Sequence, residues 1–246
     1  MKPIKNLFCA LVACWWMAGP AWSAPVANST LEFSGVQGQD AWTYGFFNMT
    51  AKGSAYTPAD FVRFDTFNSV ANLWQASAGQ VGSQNNEFLS INQVGGHPTG
   101  ITPDLQDSLI WAIRRYTSEV SGPIVIDFDF HKQNTNFSGG VTGHILIDGV
   151  EVFNARIFGT DAVGQQGSIL RNVSVGSVID FAIDPVGFAT TRDIAESTRS
   201  DGSVFSSVIS TATVPEPGSA ALVGLGVLLL ASTRRTQQRM QVNAST

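Results

Sequence analysis

Carboxylates and imidazoles are concentrated on one predicted strand, residues 124–132, and just beyond it. Asp127 and Asp129 alternate with apolar residues, so both carboxylates face the same side of the strand. Two such carboxylates are compatible with glycoside hydrolysis, which uses a pair of acids across a cleft. Asp129, His131 and His144 are compatible with a transition-metal site. Neither spacing is specific, and we favour the interpretation of a solvated polar face.

Aromatic residues suggest a second chemistry, because the apolar faces of sugar rings stack on exposed aromatic side chains beside polar groups. Trp42 and Tyr44 share one face of a predicted strand, and Arg114 and Tyr116 share a face of another. Trp74 lies beside loop-like sequence. We therefore predict that these five residues contribute to a sugar-binding surface.

Catalytic and cofactor motifs are not found in the sequence. It contains no G-x-S-x-G elbow, no H-E-x-x-H and no phosphate-binding loop, so we predict a protein that is not an enzyme. Hard oxygen ligands are abundant near Glu32, Gln39, Asp40 and Asp201, so a structural Ca²⁺ site stays open as an alternative, with no ligands assigned. We predict no other cofactor, and we interpret Trp111 as a core residue.

The pattern of the central part of the chain is all-β, because it shows period-two alternation and no helical period. Asp148-Gly149 and Gly176-Ser177 predict tight turns between strands. Many short strands with regular turns favour a single antiparallel β-sandwich. The predicted strands are 30–36, 42–48, 61–67, 72–76, 87–91, 108–117, 124–132, 143–147, 150–158, 168–175, 178–183 and 204–210.

Charge and cysteine content narrow the class of protein. Between residues 24 and 215 the chain has nine Lys and Arg against eighteen Asp and Glu. Such an acidic body argues against nucleic acid as a partner. The two cysteines, Cys9 and Cys14, both fall in the N-terminal segment, so the rest of the chain has no disulfide.

The two ends of the chain differ from its body. The first 23 residues have a basic start, an apolar stretch and small residues near the end, which is typical of a secretory signal peptide. We predict a β-sandwich domain at 24–211 and a tail at 212–246. The tail contains a short apolar run, and we predict a transmembrane helix at about 218–233. The arginines that follow this run should lie on the cytoplasmic side of the membrane.

The tail resembles a PEP-CTERM sorting signal, a type of tail that is also labelled an ice-binding-protein C-terminal domain. The resemblance implies export by the general secretion machinery, retention in the inner membrane and processing by a membrane-embedded exosortase. It further implies the cell surface or extracellular matrix of a Gram-negative bacterium as the destination. The matching residues are Val214, Pro215, Glu216, Pro217, Arg234 and Arg235, around an apolar run at 220–231.

The body resembles bacterial extracellular modules of the jelly-roll type, which are similar to carbohydrate-binding modules. Three segments carry this resemblance: 36–47, 112–130 and 144–185. It implies a sandwich that binds extracellular polysaccharide. Two alternatives stay open: a structural biofilm or matrix protein with no ligand site, and a polysaccharide-cleaving enzyme.

Overall fold

The computed structural model describes residues 25–53, 55–81, 88–99, 109–135, 139–186 and 201–212. They belong to the unit Ala24–Ala212, which is mostly β with antiparallel sheets. Within these ranges no helix has the length and apolar character needed to cross a membrane. The predicted signal peptide and the predicted transmembrane helix at about 218–233 lie outside the described residues.

Fourteen strands, two single-turn α-helices and two 3₁₀ turns, Gln39–Ala41 and Pro58–Asp60, make up the regular structure of the described residues. The helices are α1 (Met49–Lys52) and α2 (Ala78–Val81). The strands are β1 (Pro25–Asn28), β2 (Trp42–Asn48), β3 (Val62–Arg63), β4 (Thr66–Asn68), β5 (Leu73–Gln75), β6 (Ser90–Asn92), β7 (Gly95–His97), β8 (Ile110–Thr117), β9 (Gly122–Lys132), β10 (Val141–Ile147), β11 (Val150–Ile157), β12 (Gln165–Val173), β13 (Val178–Asp184) and β14 (Ser203–Thr211).

The strands form two antiparallel sheets. The six-stranded sheet has the order β11-β10-β13-β8-β2-β3. The eight-stranded sheet has the order β12-β9-β14-β7-β6-β5-β4, with β1 paired to β14. One edge of β14 pairs with β9 over its full length, and the other edge is divided between β7 and β1. β14 is therefore a central strand.

The main core lies between the two sheets. The alternation of β9 turns Ile126 and Phe130 inward, as the sequence predicted, and both are fully buried. Phe181 of β13 meets Phe205 of β14 across the core, with ring centroids 5.7 Å apart. A Cβ on Gly143 of β10 would lie 2.7 Å from the ring of Phe130, so glycine is needed for this close approach.

A second apolar cluster covers the outer face of the six-stranded sheet. Met49, Tyr56 and Phe61, from the segment that follows β2, pack onto this face. β2 and β8 are consequently buried on both faces over almost their whole length. The buried members of this cluster are Phe47, Tyr56, Trp111, Ile113, Leu146 and Ala182.

The predicted strand at 30–36 is wrong, because this segment is a turn followed by irregular chain. The side-chain oxygen of Asn28 accepts hydrogen bonds from the backbone N–H groups of Thr30 and Leu31, both at 3.0 Å, and this reverses the chain. The other eleven predicted segments each overlap an observed strand. β1 and the glycine-containing β7 were not predicted.

Both predicted turns are present. Asp148 and Gly149 have φ angles of 51° and 82° between β10 and β11. Positive φ at both central positions is the geometry of a two-residue hairpin turn. Gly176 also has a positive φ, of 89°, and lies in the connection between β12 and β13.

Candidate functional site

The aromatic residues predicted to stack on sugar are in the core. Trp42, Tyr44 and Tyr116 are at most 1 % exposed and Trp74 is 6 % exposed, so the expectation of exposed rings is wrong. Alternation correctly placed Trp42 and Tyr44 on one face of β2, but that face points at the other sheet. The indole N–H of Trp42 donates to Glu32 at 2.8 Å, which completes its burial.

Arg114 is also buried, and its hydrogen bonds link the turn after β1 to the turn between β6 and β7. Its guanidinium donates to the backbone carbonyls of Ser29 (3.0 Å), Asn92 (2.5 Å) and Gln93 (3.1 Å). Burial lowers the pKa of Arg114 to about 10, against a smaller opposing effect of Tyr44. The guanidinium of Arg114 thus binds backbone carbonyls of the protein. The prediction that Arg114 contacts a sugar is wrong, because its side chain is buried.

The three residues considered for a transition metal do not meet. Asp129 and His131 are neighbours on the outer face of the eight-stranded sheet, with 2.9 Å between His131 Nδ1 and Asp129 Oδ1. His144 lies on β10, in the other sheet. Among the residues that the structure describes, no three His, Cys, Asp or Glu side chains are grouped to hold a metal ion.

Two of the oxygen ligands considered for calcium are engaged by protein groups. Glu32 accepts from Trp42 and from the backbone N–H of Asn28, at 2.9 Å. Asp201 faces the ammonium group of Lys132 at 3.5 Å, and both side chains are buried.

A wide groove crosses the outer face of the eight-stranded sheet. We call it the outer groove; it is shallow and open to solvent, with a volume of about 790 Å³. β9, β12 and β14 form its floor and the turn after β1 forms a wall. Its lining residues are Asn28, Thr30, Leu31, Asp127, Phe128, Asp129, Gln166, Gly167, Ser168, Ser206, Ser207 and Val208.

Strand register brings the polar side chains of the groove together. Asp127 pairs with Ser168 of β12, and Asp129 pairs with Gln166 on one side and Ser206 of β14 on the other. All five side chains point outward, because side chains alternate between the two faces of a strand and these five lie on the face opposite to the core. Ser168 Oγ donates to a carboxylate oxygen of Asp127. The result is an acidic, hydroxyl-rich surface.

The sequence identified only part of the groove. Asp127 and Asp129 were singled out, and their common direction on β9 is as predicted. Gln166, Ser168 and Ser206 were missed, since each looks like an ordinary exposed polar residue until the register of β12 and β14 is known.

A smaller pocket opens on the outer face of the six-stranded sheet. We call it the aromatic pocket; it encloses about 670 Å³ beside the second apolar cluster. Its lining residues are Phe47, Met49, Thr50, Gly53, Ala55, Tyr56, Leu109, Trp111, Leu146, Gly149 and Glu151. Trp111 is 7 % exposed, consistent with its interpretation as a core residue, although its core is the outer cluster.

His144 lies beside this pocket, against Trp111, and contacts two carboxylates. Its ring stacks on Trp111 with centroids 4.6 Å apart and an interplanar angle of 11°. Nδ1 lies 2.6 Å from Glu151 Oε1, and Nε2 lies 3.6 Å from Asp184 Oδ2. Burial would lower the pKa of His144, but the two carboxylates outweigh it and raise this pKa. The charged imidazolium is therefore favoured here.

A buried ion pair anchors the segment that covers this sheet. Arg115 donates to Asp180 through Nε (2.7 Å) and through a terminal nitrogen (2.9 Å). The same nitrogen donates to the hydroxyl of Tyr56 at 2.7 Å, and that hydroxyl donates to Asp180 at 2.7 Å. Burial and the carboxylate of Asp180 raise the pKa of Tyr56, so its hydroxyl stays protonated and can donate.

Comparison with solved structures gives distant likenesses to carbohydrate-active proteins. A CBM51 module from Clostridium perfringens GH95, in complex with methyl-galactose, is 13% identical with a TM-score of 0.28, over 48% of this chain and 81% of that chain. The Kluyveromyces marxianus β-glucosidase in complex with glucose is 8% identical with a TM-score of 0.33, over 79% of this chain and 19% of that chain.

A third likeness is to a multidomain protein. The M60 catalytic domain with the CBM51-1 and CBM51-2 domains of Clostridium perfringens ZmpB is 18% identical with a TM-score of 0.30, over 48% of this chain and 13% of that chain. The match thus spans less than a fifth of each of these two solved chains, the ZmpB fragment and the β-glucosidase. No protein-family model and no curated protein matches the sequence significantly. At such TM-scores the likenesses carry no argument about the site.

Proposed function

We propose that the protein is an exported, exosortase-sorted cell-surface or matrix protein whose β-sandwich binds polysaccharide in the outer groove. The observation that carries the binding proposal is the convergence of carboxylate, amide and hydroxyl groups from three adjacent strands in one open groove. Sugar hydroxyls donate to Asp127 and Asp129. Gln166, Ser168 and Ser206 can donate or accept, and so can follow the varied hydroxyls of a sugar chain.

The chemistry of the groove favours a neutral polysaccharide. Its charged groups near the floor are Asp127 and Asp129, and the body carries twice as many acidic as basic residues. An acidic polymer would be repelled at low ionic strength. The described residues that line the groove include no tryptophan or tyrosine, and their hydrogen bonds each contribute modest net free energy to holding a sugar unit. Binding of a long chain then depends on several units together.

The order of the strands supports a jelly-roll fold for this sandwich. One sheet contains β1-β14-β9-β12 and the other contains β8-β13-β10-β11. Successive strands from β8 to β14 change sheet at every step except the β10–β11 hairpin. Two Greek keys wound together produce this alternation.

The sorting part of the proposal rests on the tail sequence. Pro215, Glu216 and Pro217 precede an apolar run that ends at Arg234 and Arg235. The two prolines interrupt any helix that continues from the membrane, which leaves an extended segment for a processing enzyme. If mass spectrometry of the extracellular form detects peptides that contain Arg234, cleavage by an exosortase is refuted and the run is a plain anchor.

The groove is tested by affinity electrophoresis of the purified full-length chain through neutral glucans, galactans and mannans. We expect retardation by at least one of them, and Asp127→Asn should reduce it about tenfold, because a charge-assisted hydrogen bond is lost. Glu119→Gln is the matched control, since it makes the same change at an exposed position outside the groove. Folded protein that no neutral polysaccharide retards, or equal retardation of both variants, would refute the groove.

A structural role without a ligand site is the second candidate. Among the described residues each sheet has one long end strand, β12 in one and β11 in the other, and Leu170 on β12 is 59 % exposed. Long edge strands are templates for pairing with another chain. This role predicts concentration-dependent self-association in ultracentrifugation together with no saturable sugar binding. The remaining alternative, polysaccharide cleavage, predicts new reducing ends that disappear in Asp127→Asn.

A further inference from the structure

Lys132, the last residue of β9, is a lysine inside the sandwich. The inward-facing positions of β9 that include Ile126 and Phe130 end at Lys132, and the side chain of Lys132 is 0 % exposed. A fully buried lysine is rare, because burial removes water from its ammonium group. Lys52, the other lysine that the structure describes, has a side chain 45 % exposed. The position of Lys132 therefore calls for a physical explanation.

Asp201 is the acidic residue that Lys132 meets in this interior. Asp201 Oδ1 lies 3.5 Å from Lys132 Nζ, and the side chain of Asp201 is 1 % exposed. The carboxyl carbon is bonded to this oxygen, and atoms held about 3–3.5 Å apart are in position to react. The nitrogen of Lys132 is thus within reach of the carboxyl carbon of Asp201, with bulk water excluded from both groups.

Backbone hydrogen bonds hold the two residues in this arrangement. The backbone N–H of Gln133, next to Lys132, donates to the carbonyl of Gly202 at 3.0 Å. Ser203 pairs with Lys132 in the register of β9 and β14, and its hydroxyl donates to the backbone carbonyl of Asp201 at 2.9 Å. The folded chain therefore brings amine and carboxyl group together, which lowers the entropic cost of a reaction between them.

Burial also favours the reactive form of each group. Desolvation lowers the pKa of Lys132, against the opposing effect of Asp201. The neutral amine is the form of lysine that acts as a nucleophile. Transfer of one proton from the ammonium group to the carboxylate converts the ion pair into an amine and a carboxylic acid. An apolar interior favours this neutral pair over two separate buried charges.

We propose that Lys132 and Asp201 join in an intramolecular isopeptide bond, which ties the end of β9 to the start of β14. Lys132 Nζ attacks the carboxyl carbon of Asp201, an N–C bond forms, and the bond from that carbon to its hydroxyl oxygen breaks. The hydroxyl group takes one proton from the nitrogen and leaves as water. The condensation needs no oxidant, reductant or added reagent. Exclusion of water from the site then protects the amide from hydrolysis.

This modification goes beyond the proposed binding of polysaccharide and does not depend on the outer groove. The sequence has no cysteine after Cys14, so the sandwich has no disulfide. An isopeptide bond gives the sandwich a covalent cross-link without thiols. It connects two neighbouring strands of the eight-stranded sheet and closes residues 133–200 into a loop, which restricts the unfolded chain as a disulfide does.

The test is peptide mapping of the purified full-length chain by mass spectrometry, after denaturation and digestion with trypsin. Trypsin should fail to cut after Lys132. The peptide 116–156 should be joined to the peptide that begins at Ser200, with a combined mass lower by one water molecule. Lys52 is the internal control, since it pairs with Asp60 at 2.5 Å but is open to solvent, and trypsin should cut after it normally.

Two variants assign the cross-link to these residues. Lys132→Arg keeps a positive charge, but its guanidinium stays protonated and cannot act as the nucleophile. Asp201→Ala removes the carboxyl group. Both variants should give separate peptides of unmodified mass. If the unchanged, folded chain yields mainly the peptide 116–132 at its unmodified mass, the bond is refuted and the two residues form an ordinary ion pair. A cross-link that persists in either variant also refutes the proposal.

Discussion

Replacing Asp180 by Asn tests the buried ion pair that holds the covering segment on the six-stranded sheet. Asp180 is fully buried and accepts from Arg115 at 2.7 and 2.9 Å and from Tyr56 at 2.7 Å. Asparagine keeps the shape but turns one acceptor oxygen into an NH₂ group that faces these donors. The guanidinium of Arg115, with a side chain 13 % exposed, then lacks its counter-charge.

The expected cost is about 3–5 kcal/mol in the free energy of unfolding, the usual effect of removing one member of a buried pair. Single domains have roughly 5–15 kcal/mol of stability, so the loss is a large fraction of the total. The loss is measured by urea unfolding, with tryptophan fluorescence as the signal. If the dependence of the free energy on urea concentration is unchanged, the shift of the midpoint gives the change in the free energy of unfolding. Tyr56→Phe should cost less, about 1–3 kcal/mol, because the ion pair survives.

The double variant Asp180→Asn, Tyr56→Phe decides whether the three residues act as one unit. We expect its cost to be smaller than the sum of the two single changes, since both remove the same Tyr56–Asp180 hydrogen bond. Glu119→Gln, an exposed carboxylate, should stay within about 0.5 kcal/mol of the unchanged chain. A loss of under 1 kcal/mol for Asp180→Asn would contradict a buried, water-excluded pair and refute the reasoning.

Two further predictions concern packing and pH. Gly143→Ala should cost about 1–3 kcal/mol, because its Cβ would lie 2.7 Å from the ring of Phe130; an unchanged unfolding midpoint would mean that the sheets can separate freely. His144 has a raised pKa in the folded state, so its contribution to stability is complete below its ordinary value of about 6.5 and disappears as pH rises through the folded value. Urea midpoints should fall over that range and His144→Gln should remove the slope, whereas the same slope in both proteins would exclude His144 as its cause.

Local patterns predicted the elements of the fold well. The alternation of Ile126 with its outward neighbours on β9 and the pair Asp148-Gly149 each depend only on adjacent residues, and the structure confirms both. The strand predicted at 30–36 failed for a local reason as well. Asn28 turns the chain through side-chain hydrogen bonds that outweigh the strand preference of the residues that follow.

The functional residues were harder to predict because they depend on which faces of the sheets are covered. Alternation shows that Trp42 and Tyr44 share a face but not whether it is the core face, and β2 is buried on both. The pairing of Ser168 with Asp127 likewise depends on a register between strands some forty residues apart in the chain. Such relations arise from tertiary packing, which no short window of sequence contains.

The place of β14 in the eight-stranded sheet has a consequence for how the chain folds. This last described strand lies between β9 and the pair β1 and β7, and the backbone N–H of Ser207 donates to the hydroxyl of Ser29, 178 positions earlier. A nascent chain can form the β10–β11 hairpin early, since its contacts are local. It cannot join β1 to the sheet until residues 203–211 are also free to pair. Sandwich closure is therefore a late and slow step, because contacts between distant parts of a chain form slowly.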